Sequence, residues 1–266
     1  MSKYQTVFAI SWQDEFTYRL NFILWRVRNV LRFLMTYFLW RGIFVSKSNV
    51  FGYSQGQLLT YIFLVLIVVS IVLSSPSGDR IGSEIGRGDL SNYLVKPLSY
   101  LKYWFTRDLA SKLLNLVFSL TEITLLAILL KPQLNFPYSL ENILGSLILV
   151  AIAVGIYFFL SVGLRFVAFW TPENTWGLAF LSFTFIETLS GAIFPLDILP
   201  QPVTTLLQFT PFPYLIYYPI AIFVGKISGL EMIRIIIQAL IWLFLSYKLS
   251  QLIWHKGLRV YSSEGR

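Results

Sequence analysis

The sequence predicts an all-α integral membrane protein with six transmembrane helices, on the basis of its composition and of six long apolar stretches. Hydrophobic residues make up 56% of the 266 residues and charged residues only 13%, whereas a soluble domain carries about 25% charged residues. So little polar surface cannot cover a chain of this length in water. The net charge of +8 would suggest nucleic-acid binding in a soluble protein, but in a membrane protein it bears on orientation instead. We therefore expect the lipid bilayer, and no nucleic acid, as a partner.

The six apolar stretches each approach the roughly 20 residues that a spanning helix needs. The second is the most uniformly apolar, whereas the first carries Arg28, Arg32 and Arg41 within it or at its edges. Arginine side chains near the end of a helix can reach the membrane surface, so these residues do not exclude a span. The predicted spans, which form a single transmembrane domain over residues 1–266, are 27–45, 57–75, 108–130, 143–169, 174–194 and 231–253.

Two other stretches are predicted to lie at the membrane without crossing it. Residues 4–24 mix aromatic residues with Asp14, Glu15 and Arg19, a pattern typical of a helix in the headgroup plane. The two acids also interrupt the apolar run too early for a cleaved signal peptide. Residues 195–225 contain six prolines, which a straight spanning helix does not tolerate, and they are nevertheless too apolar for a solvated loop. We expect short half-helices there that dip partly into the outer membrane face.

The distribution of basic residues predicts the orientation of the chain. With the N-terminus inside, 16 of the 21 Lys and Arg residues fall in inner segments. Cytoplasmic loops of membrane proteins carry such an excess. The pattern therefore predicts a multi-pass protein of the cell (plasma or inner) membrane with both termini in the cytoplasm. It also predicts that residues 82–99 face the cytoplasm.

Residues 82–99, GSEIGRGDLSNYLVKPLS, are the most polar stretch between two predicted spans and invite three interpretations. A phosphate-binding loop would need Lys-Ser/Thr where this chain has Arg-Gly-Asp, and it would follow a strand rather than a membrane helix. Asp89 would also repel a phosphate. The other two interpretations are a plain solvated linker and a surface that a partner binds.

The residue pattern favours a short amphipathic helix at about 89–96. Asp89 is a favourable N-cap residue, and Leu90, Tyr93 and Leu94 recur at helical spacing as one apolar stripe. Pro97 disfavours helix at the residue before it. A second segment begins near Ser99 and carries aromatic residues suited to the membrane interface. The pattern alone is equally compatible with docking of a partner and with packing on the protein's own membrane helices.

Two segments resemble ABC-2-type permeases. EIGRGDLSNYLVKPLSYLKYWFTRDLASK (84–112) is similar to the loop after the second span in that family: an acidic residue, a Gly-small-Leu step, a Leu-rich short helix, a Pro, and a basic start of the third span. SGAIFPLDILPQPVTTLLQFTPFPYLIYYPIAIFVG (190–225) resembles the segment between the fifth and sixth spans. The likeness covers nearly the whole chain and is greatest to a branch of permease components of about 260 residues.

The resemblance implies a half-transporter that pairs with a second permease subunit, identical or sister. Two separate ATPase subunits would bind on the cytoplasmic face and supply ATP and Mg²⁺, and this chain would hold no cofactor or metal itself. The short helix after the second span would couple ATPase closure to the permease, and export would be the direction of transport. The coupling residues implied are Glu84, Gly86, Gly88, Asp89, Leu90, Tyr93, Leu94 and Pro97. Those of the outer re-entrant segment are Gly191, Phe194, Pro195, Pro200, Pro211, Phe212 and Pro213.

Two acids lie within predicted spans. Glu122 and Glu187 either line a pathway or a subunit interface, or pair with a nearby polar group for structure alone, because ionisable groups are costly in the membrane. An intramembrane enzyme that uses these acids or Asp197 as acid or base is a second function class. Their spacing forms no motif, Cys is absent and His255 is the only histidine. A scaffold subunit that binds an ATPase without a cargo path of its own is the third.

Overall fold

The computed structural model describes residues 3–17, 19–46, 48–75, 80–136 and 139–262, and within them the chain is almost entirely helical. One antiparallel hairpin, β1 (Asn49–Val50) and β2 (Tyr53–Ser54), pairs Asn49 with Ser54 and Val50 with Tyr53. Short 3-10 turns cover Phe166–Phe169, Pro172–Asn174, Leu196–Ile198 and Phe212–Tyr214. The α-helices are α1 (Lys3–Thr17), α2 (Arg19–Ile43), α3 (Gln55–Val72), α4 (Arg80–Gly86), α5 (Ser91–Leu94), α6 (Tyr100–Leu130), α7 (Leu140–Arg165), α8 (Thr175–Leu189), α9 (Gln201–Gln208), α10 (Tyr217–Phe223) and α11 (Gly229–Leu258).

Four helical stretches of the described residues are long and apolar enough to cross a membrane. They are Gln55–Val72, Tyr100–Leu130, Leu140–Phe169 and Gly229–Leu258, and they overlap the second, third, fourth and sixth predicted spans. The chain is therefore an all-α membrane protein, to which the two-residue strands add a small hairpin. The count of six spans stays a prediction.

The first and fifth predicted spans fall on α2 and α8, which are not among these four helical stretches. Helix α2 has 25 residues, which is long enough to span, but it carries five arginines. Helix α8 has 15 residues and ends at Leu189, short of the predicted residue 194. The chain turns at Gly191, whose φ of 91° lies in the region that glycine alone adopts without strain. Tyr61 donates a hydrogen bond of 2.7 Å to the Gly191 carbonyl and holds this turn.

Two further predicted boundaries were wrong. Residues 19–24, predicted as part of one interfacial helix over 4–24, belong instead to α2, and the interfacial position of α1 stays a prediction. The segment predicted to begin near Ser99 is not separate from the third span. Ser99 occupies the N-cap position of α6, which continues without a break to Leu130.

Three clusters of buried apolar side chains hold these helices together. One joins α3, α7, α10 and α11 in the centre of the molecule. A second joins α2, the β-hairpin, α3 and α6. The third joins α4, α5 and the first turns of α6 to the C-terminal ends of α7 and α11. This third cluster lies under residues 80–99 and fixes their position relative to three long helices.

Candidate functional site

Residues 80–99 fold into a compact two-helix segment rather than a solvated linker. Ile81 and Ile85 of α4 and Leu90 before α5 are buried in the third cluster. Gly86 ends α4, where a methyl group at its Cα would come within 3.0 Å of the Pro172 side chain. Because both sides of the turn are anchored in the cluster, the segment projects as a fixed part of the fold.

The turn between α4 and α5 is closed by a distant residue, and the predicted cap was wrong. Gly88 has a φ of 82°, which favours glycine. The Tyr261 hydroxyl donates to the Gly88 carbonyl at 2.5 Å and accepts from the Ser91 backbone N–H at 3.0 Å. Leu90, not Asp89, occupies the cap position, and no side chain from the cap position bonds to the helix. Helix α5 is accordingly only four residues long.

The predicted apolar stripe is divided between two directions. Leu90 is fully buried, and Tyr93 packs partly against the third cluster. Leu94 is 49% exposed and the next residue, Val95, is 84% exposed. The chain leaves the helix there, before Pro97, whose carbonyl accepts a hydrogen bond of 2.7 Å from Lys3. One side of this segment thus packs on the protein itself, while the other offers two apolar side chains to the outside.

Glu84 links α4 to the two helices that follow it, α5 and α6. Tyr93 donates to one carboxylate oxygen at 3.0 Å, and Tyr100 donates to the other at 2.7 Å. Burial raises the pKa of the Glu84 carboxyl above its ordinary value, although the two hydroxyls oppose that change. Burial and the neighbouring carboxylate also raise the pKa of Tyr93. Tyr93 therefore remains a donor to Glu84 at physiological pH.

The proline-rich segment 190–225 consists of short helices separated by its prolines. Phe194 packs partly against the second cluster, and Pro195 leads into the turn Leu196–Ile198. Pro200 occupies the N-cap position of α9, and Pro211 does so for the turn Phe212–Tyr214. The remaining proline of the predicted set, Pro213, is buried. These observations agree with short half-helices, while their depth in the membrane stays a prediction.

A three-residue contact ties this segment to the β-hairpin. Tyr53 donates to Asp197 at 2.8 Å, and Lys226 forms an ion pair with the same carboxylate at 2.6 Å. The Lys226 ammonium also lies 3.1 Å from the centroid of the Tyr53 ring. Burial, followed by the Asp197 charge, raises the pKa of the Tyr53 hydroxyl.

The two acids of the predicted spans, Glu122 and Glu187, are each paired with an arginine of α2, which the sequence did not reveal. Arg26 holds Glu122 through Nε at 2.6 Å and also contacts Asn115 and Ser70. Arg32 forms an ion pair with Glu187. No signal in a single sequence states which helix lies against α2, so these partners could not have been named in advance.

A buried pair on α6 was also missed, although its spacing was readable. Asp108 and Lys112 stand four residues apart, with 3.3 Å between the Oδ2 and Nζ atoms, and both are buried. Lys112 also donates to the carbonyls of Val72, at 3.0 Å, and Ser74, at the C-terminal end of α3. An acid and a base at this spacing on a helix are a recognisable pair, and this one joins α6 to the end of α3.

Acidic and histidine side chains in the described ranges form no group of three or more that could hold a metal ion. The chain matches the family model described as ABC-2 family transporter protein over residues 30–265. No curated protein matches it at a significant level.

Proposed function

Because the chain belongs to the ABC-2 transporter family, we propose that this membrane component of an ABC transporter is the permease subunit of an ATP-driven exporter. Proteins of this family are transport components and not themselves catalytic. In the proposed assembly the chain pairs with a second permease subunit in the cell membrane. Separate ATPase subunits bind ATP and Mg²⁺ and hydrolyse the nucleotide.

The observation that carries this proposal is the division of residues 80–99 into a buried and an exposed side. Leu94 and Val95 project from a segment whose other side is fixed by Leu90. Adjacent exposed apolar side chains bordered by polar residues are a feature of interaction sites, and the exposed neighbours Asn92 and Lys96 provide such a border. Asp89 is exposed beside them and adds a charge that a partner can recognise. We propose this surface, the Leu94–Val95 tip, as the ATPase contact.

The connections of the tip explain how a pull on it would reach the membrane helices. Glu84 joins α4 to α6 through Tyr100, and Tyr261 joins the turn to the segment after α11. Ile81 and Leu90 pack in the same cluster as the end of α7. A displacement of the tip would therefore move the ends of α6, α7 and α11 together instead of bending a loop.

The distribution of charge supports a cytoplasmic position for the tip. Four of the basic residues assigned to inner segments, Arg26, Arg32, Arg107 and Lys112, form ion pairs with acids. Without these four, 12 of the remaining 17 basic residues still fall in inner segments. The excess that orients membrane proteins is therefore retained.

The alternative of an intramembrane enzyme gains no support from the three acids on which it relied. Glu122, Glu187 and Asp197 are each paired with a different basic residue, so they share no site. A scaffold subunit without a cargo path would have the same tip, and ATP-dependent efflux in vesicles distinguishes it from a permease.

The experiment that tests the proposed contact compares two valines of equal exposure. Val95 is 84% exposed at the tip, and Val45, two residues after the C-terminal end of α2, is 85% exposed. The tagged chain is purified from its own host, and the eluate is assayed for ATP hydrolysis and for subunits with a nucleotide-binding motif. Val95→Glu should remove the ATPase, while Val45→Glu should keep it. Retention of the ATPase by Val95→Glu would overturn the contact. Leu90→Arg is unsuitable, because Leu90 is buried and its replacement tests folding.

A further inference from the structure

A polar cavity of about 370 Å³ lies between α9 and the first turns of α11, outside the ATPase tip and the intramembrane ion pairs. Its volume falls within the range of small-molecule sites, about 300–1,000 Å³. One wall carries Gln201, Thr204 and Gln208 of α9, and the other carries Glu231 and Arg234 of α11.

The cavity is fixed by bonds between its two walls. The buried Tyr214 hydroxyl lies 3.2 Å from the Gln208 carbonyl and 3.1 Å from the Gln238 side-chain oxygen, which connects the end of α9 to α11. At the other end, Asp197 and Lys226 line the cavity as an ion pair. The space therefore has a defined shape and is not a gap between loosely placed helices.

Two opposite charges that line the cavity form no ion pair among the described residues. Glu231 and Arg234 are exposed and stand one turn apart on α11, so their side chains project from the same face. Among the described residues, neither forms an ion pair with the other or with a third side chain. Asp197 and Lys226, by contrast, satisfy one another. The charges that remain match a ligand that bears one cation and one anion close together.

Helix α9 has an exposed apolar side in addition to the polar side that lines the cavity. Its polar residues Gln201, Thr204 and Gln208 face the cavity, whereas Val203 and Leu206, with Phe209 directly after the helix, are exposed elsewhere. An exposed stripe of this kind beside a polar face is typical of a helix in the membrane interface. A ligand with an apolar tail could thus lie along α9 while its head occupies the cavity.

We propose that this cavity binds the zwitterionic head of an amphiphile, an ammonium group at Glu231 and a phosphate group at Arg234, with its acyl chains along the exposed face of α9. Charge-assisted hydrogen bonds to the two groups would hold the head, because such bonds are stronger than neutral ones. The inference does not depend on the energy source of the transporter, and its test uses the full chain without an ATPase.

Because the chain contains no cysteine, alkylation of a single introduced thiol reports occupancy of the cavity. Thr204→Cys places the thiol in the cavity wall, and Thr205→Cys places it next to the wall but outside the lining. The protein is reconstituted in nanodiscs of a glycosyl diacylglycerol, whose neutral headgroup has neither an ammonium nor a phosphate. Dihexanoyl-phosphatidylethanolamine is the probe, at ten times its dissociation constant, which should slow alkylation of the Thr204→Cys variant about tenfold. The Thr205→Cys rate should not change.

Three comparisons decide the ligand class. Dihexanoyl-phosphatidylglycerol should not protect the thiol, and glycerophosphoethanolamine, which lacks acyl chains, should protect it only weakly. Glu231→Gln and Arg234→Gln should each abolish protection, whereas Lys248→Gln, at the far end of α11, should keep it. The Thr205→Cys rate and the unfolding temperature of each variant establish that the fold is intact.

The proposal is overturned if the ethanolamine probe gives no protection in an intact fold, or if either charge variant keeps full protection. Equal protection by dihexanoyl-phosphatidylglycerol would contradict the zwitterionic specificity, because the cavity would then bind any anionic headgroup. Equal protection by glycerophosphoethanolamine would show that acyl chains on α9 add nothing to binding. The ligand would then be a free headgroup and not an amphiphile.

Discussion

Arg26 of α2 and Glu122 of α6 form an ion pair in which the guanidinium Nε lies 2.6 Å from the carboxylate Oε1. The Arg26 side chain is only 6% exposed, so the pair is largely removed from solvent. Removal of one member of such a pair leaves an uncompensated charge, whereas replacement of both by apolar residues is often tolerated. The contact therefore defines a stability test with a built-in control.

We predict that Arg26→Met and Glu122→Leu each lower the free energy of unfolding by about 3–5 kcal/mol. The double variant should lose less than either single one, because no charge is then left unpaired. Unfolding in detergent, analysed as a double-mutant cycle, gives the coupling between the two residues. Additive single effects would show that the pair does not join α2 to α6.

The Asp108–Lys112 pair should respond unequally to loss of its two members. Lys112→Met leaves a buried carboxylate and removes the donor to the Val72 and Ser74 carbonyls. Asp108→Asn leaves the ammonium with both of those acceptors. We therefore expect the larger loss of unfolding temperature from Lys112→Met. Equal losses would mean that the bonds to the end of α3 contribute nothing measurable.

Tyr261→Phe should loosen the Leu94–Val95 tip without unfolding the protein. The change leaves the Ser91 N–H and the Gly88 carbonyl without their partner, at a cost of about 1–3 kcal/mol for buried polar groups. Amide hydrogen exchange over residues 88–95 should therefore become faster. Tyr247→Phe is the control, since the Tyr247 hydroxyl has no hydrogen bond among the described residues. An unchanged exchange rate in Tyr261→Phe would show that the Tyr261 hydroxyl does not stabilise the turn.

Tyr53 should make the protein sensitive to alkali. Its folded-state pKa is raised by burial and by Asp197, whereas an unfolded tyrosine ionises near pH 10. The hydroxyl therefore contributes stability that is complete below about pH 10 and is lost as pH rises through the folded pKa. The difference in unfolding temperature between the natural protein and Tyr53→Phe should shrink from about pH 9 to about pH 12. A constant difference would show that Tyr53 ionises as readily when folded.

The sequence predicted the membrane class, and four of its six predicted spans coincide with long apolar helices, because length and hydropathy decide those features locally. It could not predict that Leu90 turns inward while Leu94 turns outward, since Tyr261 and the ends of α7 and α11 determine that division. Arg32 illustrates the same limit. Its position predicted a side chain that reaches the membrane surface, but contact with α8 gives it Glu187 as a partner. The Asp108–Lys112 spacing, in contrast, was visible in the sequence and was overlooked.

Site-directed cross-linking tests the proposed ATPase contact most directly. In the cysteine-free chain, Val95→Cys and Val45→Cys each carry one photoreactive maleimide, and membranes that contain the assembled transporter are illuminated. Val95→Cys should cross-link the chain to a subunit that binds ATP, and Val45→Cys should not. A cross-link to the ATPase from Val45→Cys alone, or none from either position in a complex that hydrolyses ATP, would contradict the Leu94–Val95 tip as the coupling surface.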